Sequence, residues 1–380
     1  MKTIASLICL VTYLTCTCAM REWPIAIDMA CSKALSVVAC TFEFTNMAAE
    51  DYYILTSDSP LEGLYSPFVA VYHNGRHVQY EGLIGFRLPP RKQDFQLIKA
   101  GQVISATVQI SDAFTFGSDG LYTIRYNKPL KFITGKEMEY EAYVSGITSR
   151  IERVRVSEVR ESVYIDLMDT HLLTRPVRME AVLSAQKPDH IVHIDSCGSA
   201  QYIGGTSQQQ SDTTKAHKLL CDKLQKAYDA VGNNDLYKTW FGIYDGGRAT
   251  TVKSIYKKSK DGLTNTDVTY DFKNGLDICK ARNWRAFTYD DSKTVWLCGP
   301  YGYDSITTYC TTNGAYSKEH VLAHEWSHAF GHTNDYADGY GAENCKNLAK
   351  KNPPTEAIDN ADNYAFYYCY NGATSFEFDF

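Results

Sequence analysis

Two histidines and a glutamate in one apolar stretch of the chain have a spacing that suits metal binding. His324 and His328 are four positions apart, so a helix would place both imidazoles on one face, where they could bind one tetrahedral Zn²⁺ at about 2.0–2.1 Å. Glu325 would lie near the open coordination position, where it could take a proton from a water whose pKa zinc lowers to about 7. Without a metal, these buried groups would need other polar partners. The motif therefore predicts one catalytic zinc ion.

A third protein ligand must come from the segment that follows. His332 is eight positions from His324, which is about 12 Å along a straight helix and too far to share an ion. Gly331 is expected to end the helix, so that the chain can turn back. Asp335 and Asp338 are then the nearest carboxylates, and both remain candidates.

Two other zinc peptidase patterns are also possible. A gluzincin would use a glutamate on a later helix, and Glu343 is the near candidate. A metzincin would place a third histidine where this chain has Asn334. Asparagine is a poor zinc ligand, which weakens the metzincin interpretation.

Several short motifs occur in an order that resembles one family, the aspzincins, which comprises the deuterolysins and the peptidyl-lysine metalloendopeptidases. In that family His-Glu-x-x-His is followed by Gly-Thr-x-Asp-x-x-Tyr-Gly. The matching segments, within roughly residues 196–380, are 324–328, 333–335, 340–341, 344–345, 348–349, 352–353 and 360–364.

The resemblance implies a role for each matching residue. His324, His328 and Asp335 would bind zinc, and Glu325 would be the base. Tyr340 would donate a hydrogen bond to the developing oxyanion, because a phenol can polarise a tetrahedral intermediate without carrying charge. The implied activity is hydrolysis of internal peptide bonds in protein or peptide substrates.

The chain departs from the family pattern at two places. His332 stands between the glycine and the threonine, and residues 338–339 look like an insertion before Tyr340. The insertion leaves Asp338 as a rival ligand and Tyr336 as a rival oxyanion donor.

A further implied role concerns substrate choice. Asp362 falls where the family places an acidic residue in the pocket for the side chain after the scissile bond. Lysine-specific members add a glutamate three positions later, where this chain has Ala365. We therefore expect a preference for basic residues that is looser than strict lysine specificity. The alternative for Asp362 is a capping or solvated aspartate.

The elements around these residues predict a multidomain protein. Residues 20–165 show alternating strands and turn signals, including Asn74-Gly75 between apolar flanks, which favours an all-β, sandwich-like N-terminal domain. This domain has no catalytic cluster, so we interpret it as a pro-domain. Residues 166–195 would connect it to an α+β zincin-like catalytic domain at 196–380.

Helical patterns dominate parts of the second domain. One helix is predicted from a cap at Ser211 or Asp212 to Gly232, and others over 317–330 and 343–350, whereas residues 236–310 read as short strands and turns. The aromatic residues from Tyr364 to Tyr370 are expected to pack in the core.

Composition limits the remaining possibilities. The chain has 380 residues, is 44% hydrophobic and carries a net charge of −6, so it lacks the basic surface of a nucleic-acid-binding protein. Residues 1–19 resemble a secretory signal peptide, no other segment suggests a membrane span, and the predicted location is extracellular.

Secretion also bears on the cysteines. Nine would remain after removal of the signal segment, so at least one thiol should stay free or pair with another chain. Cys31–Cys40 and Cys279–Cys298 are the predicted local disulfides. The alternatives in function are a metzincin-like peptidase with a different third ligand and a secreted binding protein with an inactive zincin domain. The presence of Glu325 argues against the second.

Overall fold

The computed structural model describes residues 23–144, 155–157, 159, 161–179, 186–195, 197–336 and 339–371. The predicted signal segment 1–19 and the rival ligand Asp338 lie outside the described residues.

The described strands are β1 Ile25–Ala34, β2 Val37–Asn46, β3 Tyr52–Leu55, β4 Val69–His73, β5 Arg76–Val78, β6 Ile84–Arg87, β7 Phe95–Ile98, β8 Val103–Gln109, β9 Gly120–Tyr126, β10 Leu130–Thr134, β11 Arg155–Ser157, β12 Ser162–Leu167, β13 His190–Val192, β14 Ala200–Ile203, β15 Val268–Asp271, β16 Trp284–Thr288 and β17 Thr294–Leu297. The described α-helices are α1 Gly135–Val144, α2 Ser207–Ala230, α3 Asp235–Phe241, α4 Gly246–Asn265, α5 Leu276–Arg282, α6 Lys318–Ala329, α7 Ala342–Lys350, α8 Thr355–Asp359 and α9 Ala361–Asn371.

The N-terminal region is β-rich, as predicted. Its strands form three antiparallel sheets with the orders β1-β2-β8, β11-β10-β3-β7 and β12-β9-β4-β5. Side chains alternate between buried and accessible positions along β2 and β9, which is the pattern of sheets with one face against a core. The predicted hairpin joins β4 to β5 through Asn74 and Gly75, both with positive φ, as a tight primed turn requires.

The C-terminal region is α+β, also as predicted. A six-stranded sheet has the order β13-β14-β15-β17-β16-β6, and α2, α4, α6 and α9 pack together beside it. The outermost strand, β6, comes from the N-terminal region of the chain. The side chain of Ile84 belongs to the N-terminal core and that of Phe86 to the C-terminal core. This strand therefore joins the two regions.

The helix bounds correct part of the sequence-based prediction. The α2 helix begins four positions before Ser211, because Thr206 caps it in a capping box with Gln209. The long helix α4 occupies part of the 236–310 segment that was predicted as strands and turns. Asp245 caps α4 through the Arg248 N–H, and its paired glycines at the start hid an otherwise regular apolar face. By contrast, α6 and α7 agree with the prediction.

Four disulfides staple the described residues. Two are the predicted pairs, Cys31–Cys40 and Cys279–Cys298. The others join Cys197 to Cys221 and Cys310 to Cys369, and the second of these ties the segment before α6 to α9. Cys345 is the free thiol among the described cysteines, and it is buried. None of the helices in the described part of the chain has the length and apolar character of a membrane span.

Candidate metal centre

The helix that carries the His-Glu-x-x-His motif is buried along its whole length. Every residue of α6 is inaccessible or nearly so, because α2, α4, α9, β6 and β16 surround it. Ser317 starts the helix by accepting a hydrogen bond from the His320 N–H. A helix enclosed in this way holds its side chains rigidly, so the motif residues are fixed before any ligand arrives.

The chain turns back directly after α6. Gly331 permits the turn, since a Cβ at this position would lie 2.5 Å from the backbone oxygen of Ser327. His332 follows with a φ of 60°, and the Thr333 hydroxyl and N–H both bond to Ser327. The turn brings Asp335 back over the helix, beside His324 and His328.

Three ligand atoms converge on one point. The Nε2 atoms of His324 and His328 are 3.1 Å apart. Asp335 Oδ1 lies 3.2 Å from the first and 3.3 Å from the second. Two ligands of a tetrahedral zinc ion at about 2.0–2.1 Å lie about 3.3 Å apart. The triangle therefore has the dimensions of a zinc site.

The partners of these side chains also fit a metal. The far ring nitrogens are occupied: His324 Nδ1 lies 3.2 Å from Asp362 Oδ1, and His328 Nδ1 lies 2.7 Å from the Thr333 carbonyl oxygen. Such acceptors fix the tautomer that leaves Nε2 free to bind a metal. Asp335 Oδ1 is buried without a hydrogen-bond donor among the described residues. A buried carboxylate oxygen without a donor is costly, and a cation at this point would satisfy it.

Glu325 is placed as a base would be. Both of its carboxylate oxygens are buried, and no donor in the described part of the chain hydrogen-bonds to them. Burial raises the pKa of Glu325 to about 7, against the lowering influence of His324, His328 and the Phe86 N–H. A carboxylate with this pKa can both accept and return a proton near neutral pH.

The two candidate oxyanion donors lie in different surroundings. The Tyr340 hydroxyl is 2.5 Å from Asp335 Oδ2 and 2.9 Å from the Gly85 carbonyl oxygen, and burial together with Asp335 raises its pKa well above the usual value. Tyr336 instead donates to Asp359 at 2.9 Å. The structure thus places Tyr340, and not Tyr336, beside the ligand triangle.

Asp362 lies under the ligand triangle with no exposed surface. Its Oδ1 is 2.7 Å from His320 Nε2 and 3.2 Å from His324 Nδ1, while its Oδ2 accepts from the Gly341 N–H and the Tyr316 hydroxyl. Burial alone would raise the pKa of Asp362, but the two histidines hold it below its usual range. In this arrangement Asp362 orients His324, and its predicted substrate-binding role stays a prediction.

The remaining candidates lie away from the centre. His332 faces Asp290 and Asp291. Asn334 bonds to Asp359. Glu343 is exposed and pairs with Lys346.

Sequence reasoning missed several residues around the site. His320 precedes His324 by four positions, so the helical spacing that identified the motif could also have identified it. Lys128, from the N-terminal region, is buried, donates to the Asp335 backbone oxygen and lies 4.7 Å from the centre of the Tyr336 ring. Nothing in the sequence links Lys128 to a residue more than two hundred positions later.

A second group of metal-binding residue types lies elsewhere. Cys197, His217 and Cys221 are close together, but the two cysteines form a disulfide. Neither sulfur is then available as a thiolate ligand.

The chain is similar to a family of peptidases and to several known peptidases. Residues 226–369, which include the whole ligand triangle, match the model of a family described as lysine-specific metallo-endopeptidase. An extracellular protease of Aeromonas hydrophila is 27% identical over 311 residues, which cover 80% of this chain and 79% of that protein. A peptidyl-Lys metalloendopeptidase of Armillaria mellea is 32% identical over 181 residues, 46% of this chain and 47% of that protein. A solved zinc peptidase from Grifola frondosa is 27% identical, with a TM-score of 0.36 over 45% of this chain and 100% of that one.

Proposed function

We propose that the protein is a secreted zinc endopeptidase. Residues 226–369 match the model of the lysine-specific metallo-endopeptidase family, and the relatives reported above are named as peptidases. One observation carries the proposal: the three ligand atoms of His324, His328 and Asp335 form a triangle of zinc dimensions beside the unpaired carboxylate of Glu325. A zinc ion bound there supplies Lewis acidity that activates water and polarises the substrate carbonyl.

Glu325 and Tyr340 then have separate roles. Glu325 transfers the proton, and Tyr340 stabilises the developing negative charge. Glu325 accepts a proton from the attacking water and returns it to the leaving nitrogen. The Tyr340 hydroxyl has one proton, which it can donate either to Asp335 or to a substrate carbonyl oxygen in the position of the Gly85 oxygen. Donation to the substrate becomes more favourable as negative charge develops on that oxygen.

Secretion is supported by three observations of different kinds. Residues 1–19 have the pattern of a signal peptide, the described residues contain four disulfides, and one relative is named an extracellular protease. Disulfides of this number are typical of chains that fold in an oxidising compartment.

The N-terminal region is proposed to be a pro-domain, because none of its described residues is a ligand or base of the centre. Active enzyme should then begin near Cys197. Mass spectrometry of the N-terminus of the purified active protein tests this directly. A fully active species that still begins near Ala19 would show that the region is permanent.

We also propose that the enzyme prefers basic residues after the scissile bond. Two relatives are named peptidyl-Lys metalloendopeptidases, and Asp362 is the acidic residue that the family pattern places in this pocket. Because its oxygens already have five partners among the described residues and Ala365 adds no second carboxylate, the preference should be modest. A peptide library digested by the wild-type enzyme should show enrichment of lysine and arginine at that position, and a hydrophobic preference would contradict it.

Zinc analysis and a casein digest test the central proposal together. We expect about one zinc ion per chain, as a single set of three protein ligands with one open position would hold, and loss of digestion in the presence of a chelator. Recovery of casein digestion after zinc is added back is the control, because it shows that the chelator acted by removing zinc and not by damaging the protein. A protein that binds zinc and never cleaves casein or peptides after N-terminal processing would instead be a binding protein with an inactive centre.

A further inference from the structure

The strand β6 extends the sheet of the catalytic region although it belongs to the N-terminal region. Its residues pair antiparallel with β16, with Phe86 opposite Ala286 and Gly85 opposite Phe287. Addition of an extended segment to a sheet edge is a common way for proteins to bind peptides. In this structure the added strand runs directly over the metal centre, since the Phe86 ring lies 4.4 Å from the His324 ring.

The peptide bond between Gly85 and Phe86 lies at the group that would act on the carbonyl of a substrate. The Gly85 carbonyl oxygen accepts a hydrogen bond from the Tyr340 hydroxyl at 2.9 Å. A scissile bond needs its carbonyl oxygen at the oxyanion donor. The Gly85–Phe86 bond is therefore the bond of this strand that lies in register with the centre.

The side chain of Phe86 fills a closed pocket next to that bond. It has no exposed surface, and its ring lies 5.0 Å from that of Tyr316 and 5.5 Å from that of Tyr340. The Arg285 guanidinium lies 5.3 Å from its centre. This pocket is therefore placed to receive the residue that follows a scissile bond.

The neighbouring residues fix the strand in this position. A Cβ on Gly85 would lie 2.3 Å from the Trp284 ring, so glycine allows the strand to close on the sheet. Arg87 anchors the other end, through hydrogen bonds of 3.1 and 2.6 Å to the two carboxylate oxygens of Glu62. Paired, planar contacts of this kind fix geometry as well as adding energy.

We propose that the strand Ile84–Arg87 occupies the substrate cleft as an internal substrate mimic, with the Gly85–Phe86 bond at the scissile position, and blocks the enzyme until the N-terminal region departs. The inference rests on the proposed peptidase function and adds the inhibitory segment and its register. Because the strand is tethered, its effective concentration is about millimolar, and it outcompetes a free peptide of similar contacts.

The test compares peptide binding in full-length chains that cannot process themselves. Glu325→Gln keeps the chain intact, and fluorescence anisotropy measures its affinity for a labelled extended peptide. Adding Gly85→Val should push the strand off Trp284 and tighten peptide binding by about 10–100-fold, as release of a tethered competitor predicts. The matched control is Gly117→Val, because a Cβ at Gly117 meets nothing within 4 Å, and this variant should bind as weakly as Glu325→Gln alone.

A second variant covers failure of Gly85→Val to fold, which zinc content and near-ultraviolet circular dichroism would reveal. Phe86→Ala retains the backbone and empties the pocket, so it should also tighten peptide binding. Equal peptide affinity in Glu325→Gln alone and in the folded strand variants would overturn the proposal.

Activity separates this inference from the proposed function. With Glu325 intact, unprocessed Gly85→Val or Phe86→Ala should cleave a quenched peptide faster than unprocessed wild type. If processed wild type is active while the strand variants bind and cleave no better than wild type, the internal-mimic proposal fails and the peptidase proposal stands. If processed wild type is inactive, the peptidase proposal fails.

Discussion

The N-terminal and C-terminal regions bury charged side chains for different purposes. In the described N-terminal region the buried charged residues are Asp58, Glu62 and Lys128. The first two hold Arg87 of β6, and Lys128 holds the backbone of the ligand turn, so all three act at the boundary with the catalytic region. The C-terminal region instead buries charge around α6, and there Glu325 and one oxygen of Asp335 have no donor.

This difference shows which buried charges are structural and which are available for chemistry. A paired buried charge stabilises one arrangement of the chain, because separating the pair leaves an uncompensated charge. An unpaired buried charge costs stability unless a ligand completes it. Five sets of substitutions test this distinction, and the most damaging one comes first.

Replacement of Glu325 should show most clearly the difference between a buried charge that takes part in chemistry and one that is structural. Glu325→Gln is expected to lower kcat by about 10²–10⁴-fold, the range for loss of a positioned base, while zinc stays bound because Glu325 is not a ligand. Glu343→Gln, in an exposed pair with Lys346, is the matched control and should remain near wild type. Near-wild-type turnover of Glu325→Gln would contradict the mechanism.

Glu62, the paired carboxylate of the N-terminal region, should affect stability instead of catalysis. Glu62→Gln leaves Arg87, whose side chain is 11% exposed, without its main partner and should lower the free energy of unfolding of the N-terminal region by about 3–5 kcal/mol. Urea denaturation of the full-length protein measures this loss. A stability equal to wild type would show that the pair does not act as an anchor.

Loss of a zinc ligand should weaken metal binding more than loss of an outer hydrogen-bond partner, which costs about 10–100-fold. Asp335→Ala should therefore lower zinc affinity by more than that range, as measured by competition with a chelator of known affinity. Asp338→Ala is the comparison, since Asp338 is the rival carboxylate. If Asp338→Ala loses the metal instead, the assignment of Asp335 is wrong.

The two tyrosines offer a matched pair for the oxyanion role. Tyr340→Phe removes the hydroxyl beside Asp335 and should lower kcat by about 10²-fold, the lower end for loss of one oxyanion donor. Tyr336→Phe removes a hydroxyl that bonds to Asp359 and should change kcat little. Peptide hydrolysis by both variants at saturating zinc decides between them.

Acid should destabilise the catalytic region through His217. This buried side chain lies 2.6 Å from the Tyr270 hydroxyl, and burial lowers its pKa to about 4 from the usual 6.5. The unfolded chain then binds a proton more readily, so the stabilisation is complete above about pH 6.5 and falls by roughly 3 kcal/mol as the pH drops to 4. His217→Asn should flatten this part of the pH–stability curve, whereas His77→Asn, at an exposed position, should not.

Local patterns in the sequence predicted much of this structure because their causes are local. The alternation in β8 and β9, the Asn74-Gly75 turn and the extent of α6 all follow from neighbouring residues. The helix α4 was missed because Gly246 and Gly247 at its start lower helix propensity. In the structure, Asp245 caps this end and burial of one face stabilises the rest.

The sequence predicted which residue types form the site, but it did not predict the groups that these residues contact. The spacing identified His324, Glu325 and His328, and the structure sets Asp335 beside them. The sequence could not show that Asp362 would be enclosed by five hydrogen-bond partners, because these come from two other segments of the chain, 316–324 and 341–345. It also could not show that Phe86 would meet His324, since the strand pairing responsible spans about two hundred positions.

The outermost position of β6 also has a consequence for solubility. If the N-terminal region departs, β16 becomes a free sheet edge whose backbone groups can pair with the edge of another molecule, which is a route to aggregation. If substrates pair with this edge as β6 does, the edge cannot be closed permanently. In this chain β16 is short and its register is interrupted between Trp284 and Ala286, and such irregularities hinder extended pairing between molecules. While β6 is in place, the newly made protein can be concentrated without exposing that edge.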